Sequence, residues 1–258
     1  MLCSILLCSL MVFGATGSQW PNVRIVDGTD VEPGEYPFMV SLQYNGRHAC
    51  GATVVNECYI LTAANCVAGN SNAPENYTAV FGTITWSSGG TKVDAAEITV
   101  HENYNPFDMY INDIAIVKLS SPISLDDAVQ LVTLPEQNET TANHPTAILL
   151  GWGYPVTGGD LLDTLQQVEL MVYSDEMCQN LHTNTIHETN ICAGVSEGGK
   201  GQCTGDAGGP LLVNGTQVGI ASWSMKPCAA APYPGVFTEV SYYVDWISEK
   251  SNGTCVES

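Results

Sequence analysis

The residues best suited to chemistry fall in three short segments of this 258-residue chain. A glycine-rich loop, Gly201-Gln202-Cys203-Thr204-Gly205-Asp206-Ala207-Gly208-Gly209-Pro210, carries a carboxylate at Asp206 and, next to it, only a methyl group at Ala207. Leu61-Thr62-Ala63-Ala64-Asn65-Cys66 carries the carboxamide of Asn65, and Tyr110-Ile111-Asn112-Asp113-Ile114-Ala115 carries a second carboxylate at Asp113. A methyl group cannot attack a carbonyl carbon, and a carboxamide has no useful basicity near neutral pH. His48, His101, His144, His182 and His187 are the only imidazoles, and nothing in the sequence sets any of them beside these segments. All five read as ordinary surface or core histidines. No Cys-x-x-Cys pair or Cys/His cluster has metal-ligand spacing, so neither a metal nor a cofactor is expected.

These segments resemble the signature motifs of the chymotrypsin-like (trypsin-family) serine proteases, G-D-S-G-G-P, L-T-A-A-H-C and N-D-I-A, in the family's order and at its separations. The resemblance covers nearly all of residues 25 to about 250. It implies a degenerate triad: Ala207 at the position of the nucleophilic serine, Asn65 at that of the general-base histidine, and Asp113 as the retained aspartate. In the family's mechanism the serine attacks, the histidine takes its proton and the aspartate orients the histidine. Losing either of the first two costs on the order of 10⁶-fold in rate, and losing both adds little because they act as a unit. One N–H of the Asn65 amide can still serve the Asp113 carboxylate, which makes Asn a tolerable replacement.

The resemblance also implies an oxyanion hole at the backbone of Gly205 and Ala207, and a substrate-aligning strand at Ser222-Trp223. It places a substrate pocket on Gly201, with Gly235 leaving its wall open and Ser224 narrowing its entrance. With glycine rather than aspartate at 201, a small or apolar side chain suits that pocket better than Arg or Lys. Residues 18–24 resemble an activation peptide: cleavage after Arg24 would free the Ile25 ammonium to pair with Asp206, although Asp27 replaces the family's glycine. Three disulfides are implied, Cys50–Cys66, Cys178–Cys192 and Cys203–Cys228, which leaves Cys58 and Cys255 for each other.

Composition sets the surroundings of this site. Residues 1–17 begin with the apolar run Leu2 to Cys8 and end in Ala15-Thr16-Gly17, the pattern of a cleaved signal peptide. Its apolar core spans roughly a dozen residues, short of the ~20 that cross a bilayer. Cys3 and Cys8 would leave with the leader, and the other eight of the ten cysteines suit four disulfides in an oxidising compartment. Sequons at Asn76, Asn138, Asn214 and Asn252 fit a secreted glycoprotein. The formal charge of -20, from 7 basic and 27 acidic residues, argues against nucleic acid or an anionic membrane as partner. It admits a basic protein partner and equally serves solubility alone.

Short apolar runs such as Phe38 to Leu42, Ile114 to Leu119, Ala147 to Gly153 and Gln217 to Ala221, set apart by Gly, Pro, Asn and Asp, predict an all-β chain, sandwich or barrels. The resemblance narrows this to two six-stranded antiparallel β-barrels around a cleft, at about 25–130 and 131–240 of a single 25–258 domain. Apolar residues at helical spacing between Tyr242 and Lys250 predict a closing helix at about 241–250. The expectation for function is a secreted, catalytically inactive homologue that binds a protease, a protease inhibitor or a protease substrate. Its alternatives are an active secreted endopeptidase, an inactivated version of one, and an acidic storage or structural glycoprotein.

Overall fold

The computed structural model describes residues 25–141 and 145–255; the leader, Arg24 and His144 lie outside the described residues. Among the described residues, thirteen strands and three short α-helices follow one another. After β1 (Thr29–Asp30) come β2 (Met39–Tyr44), β3 (Arg47–Asn56), β4 (Tyr59–Thr62), helix α1 (Ala64–Val67), β5 (Tyr77–Phe81), β6 (Thr91–Val100) and β7 (Ala115–Leu119). Then follow β8 (Thr146–Gly151), β9 (Gln166–Tyr173), helix α2 (Asp175–Leu181), β10 (Asn190–Gly194), β11 (Pro210–Val213), β12 (Thr216–Trp223), β13 (Gly235–Glu239) and helix α3 (Val244–Lys250).

The strands close into two antiparallel barrels of six, β2-β3-β4-β7-β6-β5 and β8-β9-β10-β13-β12-β11. Two hairpins show how the sequence sets register. Asn45-Gly46 joins β2 to β3 and Asn214-Gly215 joins β11 to β12, with φ of 50° and 78° in the first and 50° and 81° in the second. Two consecutive left-handed residues match the right-handed twist of the strands they connect, and Asn-Gly adopts them at low cost. β1 pairs with β9, Thr29 opposite Gln167, so the segment after Asp27 joins the second barrel's sheet although it precedes the first barrel in sequence.

Burial follows the strand period: β9 alternates buried Gln166, Val168, Leu170 and Val172 with more exposed neighbours. Val40, Leu42, Val54, Ile60 and Phe81 fill the first barrel, and Leu149, Val168, Leu170, Leu211 and Phe237 the second. A third cluster, with Leu61, Ile114, Ile116, Ile220 and Val240, takes in Ile247 of α3. The closing helix is thereby seated at the junction of the barrels, and the Cys58–Cys255 disulfide and a 2.9 Å bond from Asn56 Nδ2 to the Ser251 carbonyl hold the chain after it. Cys50–Cys66, Cys178–Cys192 and Cys203–Cys228 complete the disulfides. Asn138, Asn214 and Asn252 are exposed and Asn76 is half-buried. Among the described residues no helix is long and apolar enough to cross a membrane.

The barrels touch through backbone. Gly51 of β3 donates its N–H to the Ala207 carbonyl at 2.8 Å and accepts at its own carbonyl from Thr62 Oγ1, also at 2.8 Å. A Cβ on Gly51 would sit 2.7 Å from the Gly209 Cα and 2.8 Å from its nitrogen, neither of which can yield without moving the loop. Gly51→Ala is therefore expected to lose on the order of 1–3 kcal/mol or more to overpacking. Gly69→Ala, where an added Cβ meets nothing within 4 Å, should change stability little. Urea unfolding of the two variants side by side tests the contrast.

Candidate functional site

A cleft of about 790 Å³ lies beside Ala207, and its lining brings the three sequence segments together. Helix α1 brings Asn65, with its neighbour Cys66 tied to β3 by the Cys50 disulfide. The chain leading into β7 brings Asp113, and β12 brings Ser222 and Trp223. The 201–210 loop brings Gly205 and Ala207.

Asp113 is completely buried and is held from both barrels. The Asn65 backbone N–H reaches its Oδ1 at 2.7 Å, while Asn65 Nδ2 and Ser222 Oγ each donate to Oδ2 at 2.5 Å. The same Asn65 amide nitrogen lies 3.3 Å from the Ser222 carbonyl, and Thr238 Oγ1 donates to the Asp113 backbone carbonyl at 2.8 Å. Burial pushes the Asp113 carboxyl up to about 6, against the donors of Ser222, Asn65 and Ala64 that pull it down. Asn65 thus donates to a carboxylate in the way an oriented imidazole would, while its amide nitrogen, its lone pair delocalised, is not basic.

Asp206, beside Ala207, is buried in a pocket made by glycines. Gly153 and Cys203 donate backbone N–H groups to its two oxygens, each at 2.8 Å. A side chain on Gly151 or Gly153 would overlap this carboxylate, which explains the Gly-Trp-Gly run at 151–153 physically. Burial raises its carboxyl to about 7, opposed first by the Cys203 and Gly153 donors and then by the more distant Lys226. Asp27, near the start of the described chain, takes φ 61°, a backbone that suits glycine and that Asp tolerates better than most residues. Its carboxylate lies 3.6 Å from Lys200 Nζ.

Each of the four described histidines is engaged with other partners. His48 packs against Trp86 and Trp152; Ser41 Oγ lies 2.8 Å from its Nδ1, and the Gly205 carbonyl 3.0 Å from its Nε2. Burial lowers its pKa to about 4, so the neutral ring supports the loop by donating from Nε2 and accepting at Nδ1. His182 lies between Trp223 and Tyr233, His101 against Trp246, and His187 beside Asp108.

Of the expected pocket residues, Ser222, Trp223 and Ser224 line the cleft, whereas Gly201 and Gly235 are buried and do not. Gly235 was expected to leave the wall open, and a neighbouring side chain lies against it. Gln202 occupies that space, its side-chain atoms 3.0–3.3 Å from where a Gly235 Cβ would lie. Tyr104, Met109, Tyr110, Asn184, Met225 and Lys226 also line the cleft. Sequence reasoning missed them because they come from loops whose approach no periodicity encodes. Gln202 did have a signal, its place directly after Gly201.

Replacing Asn65 with Leu keeps a similar volume but removes the side-chain donor, and is expected to cost about 1–3 kcal/mol in urea unfolding. Both Asp113 and Asp206 bind their proton more tightly in the folded chain than in the unfolded one, where a carboxyl titrates near 3.8. The folded state then gains protons first as pH falls, so this contribution to stability is complete below about 4 and is lost as pH rises through about 6 to 7. The thermal midpoint should accordingly rise on acidification from pH 8 to pH 4.5, and Asp206→Asn should flatten the rise.

Comparison with known proteins agrees with this architecture. A family profile described as Trypsin matches residues 25–247. The chain is similar to Trypsin-1 of Astacus astacus, 39% identical over 236 residues that cover 86% of this chain and 98% of that one. It is 35% identical to Trypsin of Phaedon cochleariae over 233 residues, 90% of each chain. It is also 35% identical to the Vitellin-degrading protease of Bombyx mori over 251 residues, 95% of this chain and 94% of that one. With two six-stranded barrels, a cleft between them and a family match over most of its length, this chain belongs to the trypsin family of serine proteases.

Proposed function

We propose that the protein is a secreted, catalytically inactive member of the family that acts by binding other proteins through its cleft. One observation carries the reading: the frame around the reacting positions is kept while the reacting groups are missing. Asp113 keeps donors from both barrels and the 201–210 loop keeps its backbone contacts, yet Ala207 offers no nucleophile and Asn65 no base. A water molecule would need the same absent base to attack in place of serine. The partner is a protease, a protease inhibitor or a protease substrate, the protein classes that a peptide-binding cleft of this family meets.

Secretion, removal of residues 1–17, cleavage after Arg24 and glycosylation at the exposed sequons belong to the same reading. A freed Ile25 ammonium would give the buried Asp206 carboxylate a cation, which would make the cleft's final shape depend on proteolysis. The second reading, an active endopeptidase, draws its support from relatives that are named trypsins and a protease.

A paired assay separates the two. The purified protein is cleaved after Arg24, then offered a broad peptide library and a serine-reactive phosphonate probe, beside the double variant Asn65→His, Ala207→Ser. The parent is expected to match buffer. The double variant should exceed it by on the order of 10³-fold or more. Turnover by the parent would overturn inactivity, and silence in both would move the binding function away from the cleft.

A further inference from the structure

One side chain that lines the cleft, Gln202, is itself buried. β12 and β13 pair regularly at Gly219 with Glu239, Ile220 with Thr238 and Ala221 with Phe237, then shift register so that Trp223 faces Val236. Trp223 and Val236 both lie at that shift. Gln202 reaches both: its Nε2 donates to the Trp223 carbonyl at 2.5 Å and to the Val236 carbonyl at 3.1 Å. A primary amide has two N–H donors, and both are used. Gln202 is only 4% exposed and lies against Gly235, whose missing Cβ leaves room for it. Its neighbour Cys203 is bonded to Cys228, so the backbone that carries the plug is anchored.

We infer that Gln202 is an intramolecular plug that fixes what the cleft admits. This rests on the reading of the cleft as a binding site and adds to it the class of partner. A segment crossing beside Ala207 finds no recess to fill: any side chain entering there must displace the plug and replace two hydrogen bonds made in a buried place. The favoured partner is therefore an extended peptide segment with Gly or Ala at the residue facing Ala207. It would be held by backbone contacts and by the apolar walls of Trp223, Met225, Met109 and Tyr110 rather than by an anchored side chain. Removing the plug frees two carbonyl acceptors beside Trp223 and Gly235, a site for a flat ring with a donor at its tip.

Phenol has that shape and chemistry, and its binding does not depend on any catalytic group. The test titrates phenol into the wild-type protein and into Gln202→Gly, following assigned backbone resonances of Gly201, Trp223 and Gly235 by NMR. Saturable shifts centred on those residues are expected in Gln202→Gly, with an affinity at least about tenfold above wild type, whose recess is occupied. Equal binding by wild type would show that the recess is open and overturn the proposal. So would a folded Gln202→Gly that fails to bind phenol there. If Gln202→Gly does not fold, Gln202→Ser takes its place, since its hydroxyl can still serve one carbonyl. Failure of both to fold would make Gln202 a structural strut and overturn the plug as well. Because phenol binding is read without turnover, the plug can fail while inactivity stands, and inactivity can fail while the plug stands.

Discussion

A carboxylate buried between two barrels must be given donors, and the surroundings of the cleft follow from that requirement. Asp113 has no exposed surface, and its donors come from α1 in the first barrel and from β12 in the second. Leaving such a group unpaired costs far more than any one of its bonds returns, because the desolvation penalty is uncompensated. A side chain that can donate is therefore favoured at position 65, beside the Asn65 backbone N–H and Ser222 Oγ that also serve the carboxylate. Asparagine meets that constraint with one N–H. The same amide also lies within reach of the Ser222 carbonyl across the junction of the barrels.

The second constraint is steric and lies in the backbone. Gly51 faces Gly209 closely enough to leave no room for a methyl group, and Gly151 with Gly153 leaves the space in which Asp206 is buried. Interiors packed at this density transmit any change in volume. The loop that carries Ala207 is thus fixed from several sides: by the Gly51 N–H, by His48 on the Gly205 carbonyl, and by the two amides on Asp206. Each of these contacts uses backbone atoms or residues other than 207. The loop keeps its form without a serine.

Much of the fold was legible because its determinants are local. The apolar runs at 38–42, 114–119, 147–153 and 217–221 fall on β2, β7, β8 and β12, and the apolar spacing before Lys250 falls on the last helix. The site was legible in its motif residues, Asn65, Asp113, Asp206 and Ala207, because each sits in a run whose neighbours are also structurally constrained. The pocket was not. Whether a glycine leaves open space or makes room for a neighbour depends on which side chain turns toward it, and Gly235 faces Gln202 from 33 residues along the chain. The strand that joins β9 was hidden for a similar reason: Thr29 and Asp30 form only a two-residue ladder, too short to carry a period.

Chemistry and structure in this family draw on different atoms. The serine hydroxyl and the imidazole nitrogens of an active member act on substrate, whereas the loop and the helix that present them are held by amides, carbonyls and glycine contacts. At 207 the tie to the first barrel is the backbone bond from the Gly51 N–H to the Ala207 carbonyl, which needs no side chain. At 65 the side-chain amide donates to Asp113. Asp113 differs from both, since its own side chain is the buried charge that the donors surround.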